Sequence, residues 1–99
     1  MKINVQSIHF DADRKLIGFI QEKLEKLAQF TDDIHAAEVF LRLERDGESH
    51  ENKVVEVKLA VPGNDLFTRR QGKTFEEAVV EAAEALRSQI TRGKERAQA

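Results

Sequence analysis

Near the start of the chain Ile3 and Val5 alternate with Lys2, Asn4 and Gln6, the period of two that marks a half-buried strand. The period then lengthens. Leu16, Ile17, Ile20, Leu24 and Leu27 recur at helical spacing, and Asp13, a residue type whose side-chain oxygen accepts from the free amides of a first turn, predicts the helix start. At about 100° per residue, Lys15, Phe19, Lys23, Lys26 and Phe30 fall along one flank of that stripe, while Glu22 and Glu25 fall on the far side. One edge of this helix is basic and aromatic.

Alternation returns from Ala37 to Arg45, where Val39, Leu41 and Leu43 are set against Glu38, Phe40, Arg42 and Glu44. A polar stretch opened by Asp46-Gly47 follows, and then Val55, Val57, Leu59 and Val61 alternate with Glu56, Lys58 and Ala60. The two segments read as an antiparallel hairpin. Pro62-Gly63-Asn64-Asp65 is a dense turn signal before a shorter strand, Leu66 to Gln71, whose adjacent Arg69 and Arg70 must point to opposite faces. One of the two is expected to snorkel at an edge and the other to lie in solvent. Thr74-Phe75-Glu76-Glu77 fits a capping box, and Phe75, Ala78, Val79, Ala82, Ala83, Leu86 and Ile90 form the apolar stripe of a second helix. Gly93 is expected to mark its end within a residue or three.

Strand, helix, strand, strand, strand, helix is the order of an α+β fold: a two-layer βαβββα domain with a four-stranded sheet and two helices packed on one face. A helical crossover of about 18 residues predicts a parallel first pair with a right-handed connection, then an antiparallel meander. With 99 residues, a single domain spanning 1–99 is expected, large enough for one core and too small for a deep enclosed active site. No apolar run approaches a membrane span. The opening MKINVQSIHF lacks the long apolar region of a signal peptide, and there is no cysteine, so a cytoplasmic location is expected.

Lys and Arg number 16 against 18 Asp and Glu, which argues against a simple polybasic nucleic-acid binder. The distribution changes that picture. Lys73 to Ala85 carries one Lys and four Glu, net −3, whereas Leu86 to Ala99 sets Arg87, Arg92, Lys94 and Arg96 against Glu95, net +3. Part of this asymmetry matches the helix macrodipole and has a purely structural account.

Catalysis needs a nucleophile with its base, a carboxylate pair in a cleft or a metal cage. His9, His35 and His50 are scattered without metal-ligand spacing, and surface or turn positions suit them better. Pro62-Gly63 has none of the frame of a phosphate-cradling loop. No enzyme activity, metal or cofactor is expected. What remains is a set of cations at compatible positions: Lys23 and Lys26 on helix one, Arg69 and Arg70 on strand four, and Arg87, Arg92 and Lys94 on helix two.

The segments Lys23-Leu24-Glu25-Lys26-Leu27-Ala28-Gln29-Phe30, Val39-Phe40-Leu41-Arg42-Leu43-Glu44, Thr74-Phe75-Glu76-Glu77-Ala78-Val79 and Leu86-Arg87-Ser88-Gln89-Ile90-Thr91-Arg92-Gly93-Lys94 together resemble the ribosome hibernation promoting factors and ribosome-associated translation inhibitors. Some members of that family were formerly called sigma-54 modulation proteins. The likeness spans nearly the whole chain, and the family has the same βαβββα order. It implies a stress or stationary-phase protein that binds the small ribosomal subunit and its 16S rRNA between head and body. There it would sterically occlude the path of messenger RNA and of A- and P-site transfer RNA. Lysines and arginines from two helices can neutralise RNA phosphates without a base code.

The resemblance implies Lys23, Lys26, Arg92 and Lys94 as phosphate contacts, with Arg42 weaker; Arg69, Arg70 and Arg87 join on local charge alone. Phe75, often Tyr in the family, is expected to anchor the core rather than stack on a base. Ala85 and Ser88 stand where the family usually has basic residues, and Lys73 where it often has an acidic one, so Arg87 is expected to compensate from a neighbouring angle. Ending at Ala99 resembles the short family type, for which pairing of ribosomes needs a separate partner factor. Neither DNA nor a membrane is an expected partner. Two rivals remain: a protein-interaction module modulating transcription through the sheet face around Phe40, and a general double-stranded RNA binder, which the absence of a Lys-rich helix start disfavours.

Overall fold

The computed structural model describes residues 1–44 and 50–98, with side chains through position 93. Its elements follow the expected order: β1 (Lys2–Ser7), α1 (Arg14–Glu25) extended by a 3₁₀ turn (Lys26–Gln29), β2 (Ala36–Leu43), β3 (Lys53–Ala60), β4 (Leu66–Gly72) and α2 (Phe75–Gln98). Asp46-Gly47 lies outside the described residues.

Both helix starts are capped by side chains. The Leu16 amide donates to Asp13 Oδ1 at 2.8 Å, and the Glu77 amide donates to Thr74 Oγ1 at 3.1 Å. The Glu77 carboxylate reaches back to the Lys73 amide, one residue before the usual partner in a capping box. Gly63, with φ 87°, follows Pro62 in the β3–β4 turn, a positive φ that glycine takes without steric cost.

The sheet order is β1-β2-β3-β4, with β1 parallel to β2 and the remaining pairs antiparallel. One row of the register runs Val5, Val39, Val57, Thr68 across all four strands. These residues share the face that the helices cover, because opposed positions in a sheet point the same way. Val39, Val57, Thr68, Ile20, Leu24, Ala82 and Leu86 are buried there. Ala78 and Ala82 let α2 lie close to the sheet, and Phe75 packs against the core with its ring stacked on Phe10, centroids 5.2 Å apart. Both helices cover one face, as the pattern predicts.

Two details differ from expectation. Gly93 does not end α2, which continues to Gln98. Gly93 keeps a negative φ, and a glycine that stays right-handed only weakens a helix, by about 1 kcal/mol relative to alanine. The second is Val54, fully buried on the face away from the helices, opposite Arg42 and Gln71 in the register.

Candidate nucleic-acid interface

β4 runs in the same direction as β1. Each helix returns antiparallel to the strand before it, so α1 and α2 run parallel and end at the same side of the molecule. The lengths differ. Twelve residues of α1 span about 18 Å and 24 residues of α2 about 36 Å at the helical rise. Among the residues whose side chains are described, Ile90 is the last buried position of α2, and Thr91, Arg92 and Gly93 after it are exposed.

Four of the expected cations gather at this end. Lys23 lies in the last turn of α1 with Nζ 5.4 Å from the Phe19 ring centroid. Lys26, in the 3₁₀ turn, is exposed and meets Glu22 at 4.0 Å, an i,i+4 contact of small energetic weight. Arg87 projects from α2 across the seam, its Cζ 5.6 Å from the centroid of the Phe30 ring that closes the 3₁₀ turn. A cation–π contact at that distance draws the guanidinium toward the ring without occupying its N–H donors. Arg92 follows on the same helix, and Arg87, Ser88, Thr91 and Arg92 together line a notch. Lys94 lies further along α2, past the last described side chain.

The other three arginines are placed elsewhere. Arg42 and Arg69 point from the sheet face opposite the helices, as the register with Val54 and Glu56 requires. Each is paired with a carboxylate, Arg42 with Glu56 and Arg69 with Glu44. Arg70 shares the helix-side row with Val55 but sits on the edge strand, exposed, and donates to the Arg69 carbonyl at 3.0 Å. Adjacent arginines therefore split between the faces, as strand geometry demands. The structure places Lys23, Lys26, Arg87 and Arg92 in the second half of the two parallel helices, with Arg87 reaching the α1 side at Phe30 and Arg92 on the flank nearer the β3–β4 turn, and sets Arg42 and Arg69 on the other sheet face.

The first half of α2 is acidic, with Glu76 and Glu77 in its first turn and Glu81 and Glu84 following. Sequence reasoning did not single out the hydroxyls of Ser88 and Thr91 or Phe30 as the platform for Arg87. The i,i+3 spacing of two hydroxyls between two arginines was the available signal for the first. The Phe30 contact joins residues 57 positions apart, and no local pattern reveals it.

All three histidines are exposed, and His9 and His50 have positive φ, 66° and 54°. Among the described residues no group of three His, Asp or Glu side chains is placed to hold a metal ion, and no helix is long and apolar enough to cross a membrane.

Comparison with known proteins adds four findings. The chain matches, over residues 3–98, the model of the family described as sigma 54 modulation protein / S30EA ribosomal protein. Its fold is similar to that of a ribosomal subunit interface protein from Coxiella burnetii, with a TM-score of 0.84 at 17% identity, covering 95% of this chain and 98% of the other. It is also similar to the N-terminal domain of Protein Y from Thermus thermophilus, with a TM-score of 0.80 at 19% identity, covering 93% and 98%. No curated protein matches the chain in sequence.

Proposed function

The chain belongs to the sigma 54 modulation protein / S30EA ribosomal protein family, and on that premise we propose that it binds the small ribosomal subunit in the channel used by messenger RNA and by A- and P-site transfer RNA, blocking translation by filling it. The observation that carries this reading is the gathering of Lys23, Lys26, Arg87 and Arg92 at one end of two parallel helices. These side chains meet phosphates of 16S rRNA, Lys94 extends the row, and Arg42, Arg69 and Arg70 contribute less because of where they sit. That the similarly folded Coxiella burnetii protein is a ribosomal subunit interface protein supports a place on the ribosome.

Inhibition is steric and involves no bond making or breaking. A rigid two-layer domain excludes other occupants of a channel by its volume, and its cations supply affinity through counterion release. Messenger and transfer RNA cannot enter while it is bound. The protein acts in the cytoplasm, under stress or in stationary phase.

Occupancy competition tests this reading. Small subunits preloaded with messenger RNA and P-site transfer RNA are expected to lose binding of the protein, and empty subunits to retain it. Equal binding to loaded and empty subunits would overturn the location.

A further inference from the structure

The two edges of the sheet differ. The Lys2 amide donates to the His35 carbonyl at 3.3 Å and the Ile8 amide to the Leu41 carbonyl at 2.9 Å, so the even-numbered residues of β1 bond toward β2. The backbone N–H and C=O groups of Ile3, Val5 and Ser7 therefore point outward, and among the described residues nothing bonds to them. On β4 the outward carbonyls of Phe67 and Arg69 accept from the side chains of Gln89, at 3.1 Å, and Arg70, at 3.0 Å. One edge is sealed and the other is open. β1 also lacks the usual guards of an open edge: it has no proline, its register with β2 runs without a bulge, and its one charged side chain is Lys2 at its start.

We propose that β1 pairs antiparallel with β1 of a second copy of this chain, joining two four-stranded sheets into one. Two-fold symmetry permits a register in which Asn4 faces its own copy. Ile3 then lies opposite the partner's Val5, and each such pair exchanges both backbone hydrogen bonds. Both side chains are half-buried on the helix-covered face and pack against the core, so pairing covers the apolar surface that the edge leaves exposed. The flank of α1 turned away from α2 carries half-buried Ile17 beside Gln21 and continues that strip without adding charge. On the open face, exposed Gln6 lies opposite the partner's Lys2, so no like charges meet. Lys23 and Lys26, on the flank of α1 toward α2, stay uncovered. A six-residue strand makes a small interface, below about 1,200 Å², and a weak pairing.

Sedimentation equilibrium of the untagged full chain, from about 10 μM to about 1 mM, reads the association over the span in which a weak pairing fills by mass action. The average mass is expected to rise toward twice that of one chain. Amide hydrogen exchange over the same range locates the contact: the Ile3 and Val5 amides should gain protection with concentration, while those of Asn4 and Gln6, already bonded to β2, should not change. Gln6→Glu sets a carboxylate against the partner's Lys2 and should tighten pairing by at least about twofold, and Gln6→Lys sets two ammonium groups together and should weaken it by at least about as much. Gln6 is exposed, so neither change challenges the fold. Val5→Pro removes an outward N–H that β2 does not use and should abolish pairing; the Gln6 variants decide the matter where that chain fails to fold.

A chain that sediments as a monomer across the whole range would overturn the pairing. So would a dimer in which Gln6→Glu and Gln6→Lys move the affinity in the same direction, since the register sets both against Lys2. Protection gained with concentration outside β1, with Ile3 and Val5 unchanged, would assign the second copy to another surface and overturn it as well.

Discussion

Replacing Arg87 and Arg92 with glutamine should change the salt dependence of ribosome binding more than replacing Arg42 and Arg69 does. Arg87 and Arg92 stand on α2, with Arg87 held over Phe30 and both lining the notch. Arg42 and Arg69 are tied to Glu56 and Glu44 on the opposite sheet face. Each phosphate neutralised contributes about 0.7 to 0.9 to the slope of log affinity against log salt, so losing two should flatten that slope by about 1.4 to 1.8. Between 50 and 200 mM salt the gap between wild type and the Arg87→Gln, Arg92→Gln variant should then narrow by about tenfold.

Stability should respond in a different pattern. The Arg42→Gln, Arg69→Gln variant breaks two exposed ion pairs, each worth about 0.2 to 1 kcal/mol. Arg87→Gln forfeits a cation–π contact of about 0.5 to 1 kcal/mol at an exposed site. Both variants should therefore remain folded near 25 °C. Labelled protein titrated onto purified small subunits at four salt concentrations reads the slope, and thermal unfolding reads the stability. An equal or larger loss of slope in the Arg42, Arg69 variant would refute the assignment of the contact face.

Phe30→Ala should weaken subunit binding a few-fold while leaving the salt slope unchanged, since it removes the platform under Arg87 but no charge; titration at two salt concentrations checks both. Leu86→Ala, at a fully buried position, should destabilise the domain by about 2 to 5 kcal/mol, read by urea unfolding. Asp13→Ala should cost about 1 kcal/mol by leaving the Leu16 amide without its cap, and loss of helix-start protection in hydrogen exchange would locate the effect. Gly63→Ala forces a side chain into positive φ and should lower stability by about 1 to 2 kcal/mol, seen as a reduced midpoint in the same unfolding assay.

The layer order and the parallel first pair were legible because β2 and β3 bury one face, and period-two alternation records that directly. Both caps were legible because Asp13 and Thr74 act within three residues of themselves. The inward face of β4 was not. Its buried positions are Thr68 and Gly72, while Phe67 is more than half exposed, so hydrophobicity points the wrong way and only pairing with β3 decides. The continuation of α2 through Gly93 was also hidden, because a glycine ends a helix through a left-handed φ that a residue letter does not record.

The candidate site was half legible. The cationic residues could be named one by one, and helical spacing placed Lys23, Lys26 and Phe30 on a common flank. Their convergence with Arg87 depends on how two helices from distant parts of the chain lie side by side. The separation of Arg42 and Arg69 from that group is likewise a property of sheet register and of which face the helices cover.

Co-sedimentation of the purified protein with separated small and large ribosomal subunits tests the central claim most directly. Wild type is compared with a variant in which Lys23, Lys26, Arg92 and Lys94 are each changed to glutamate. The account predicts that wild type pellets with small subunits at low salt and that the folded variant stays in the supernatant. Wild type left in the supernatant at low salt, or a variant that pellets as well as wild type, would contradict it.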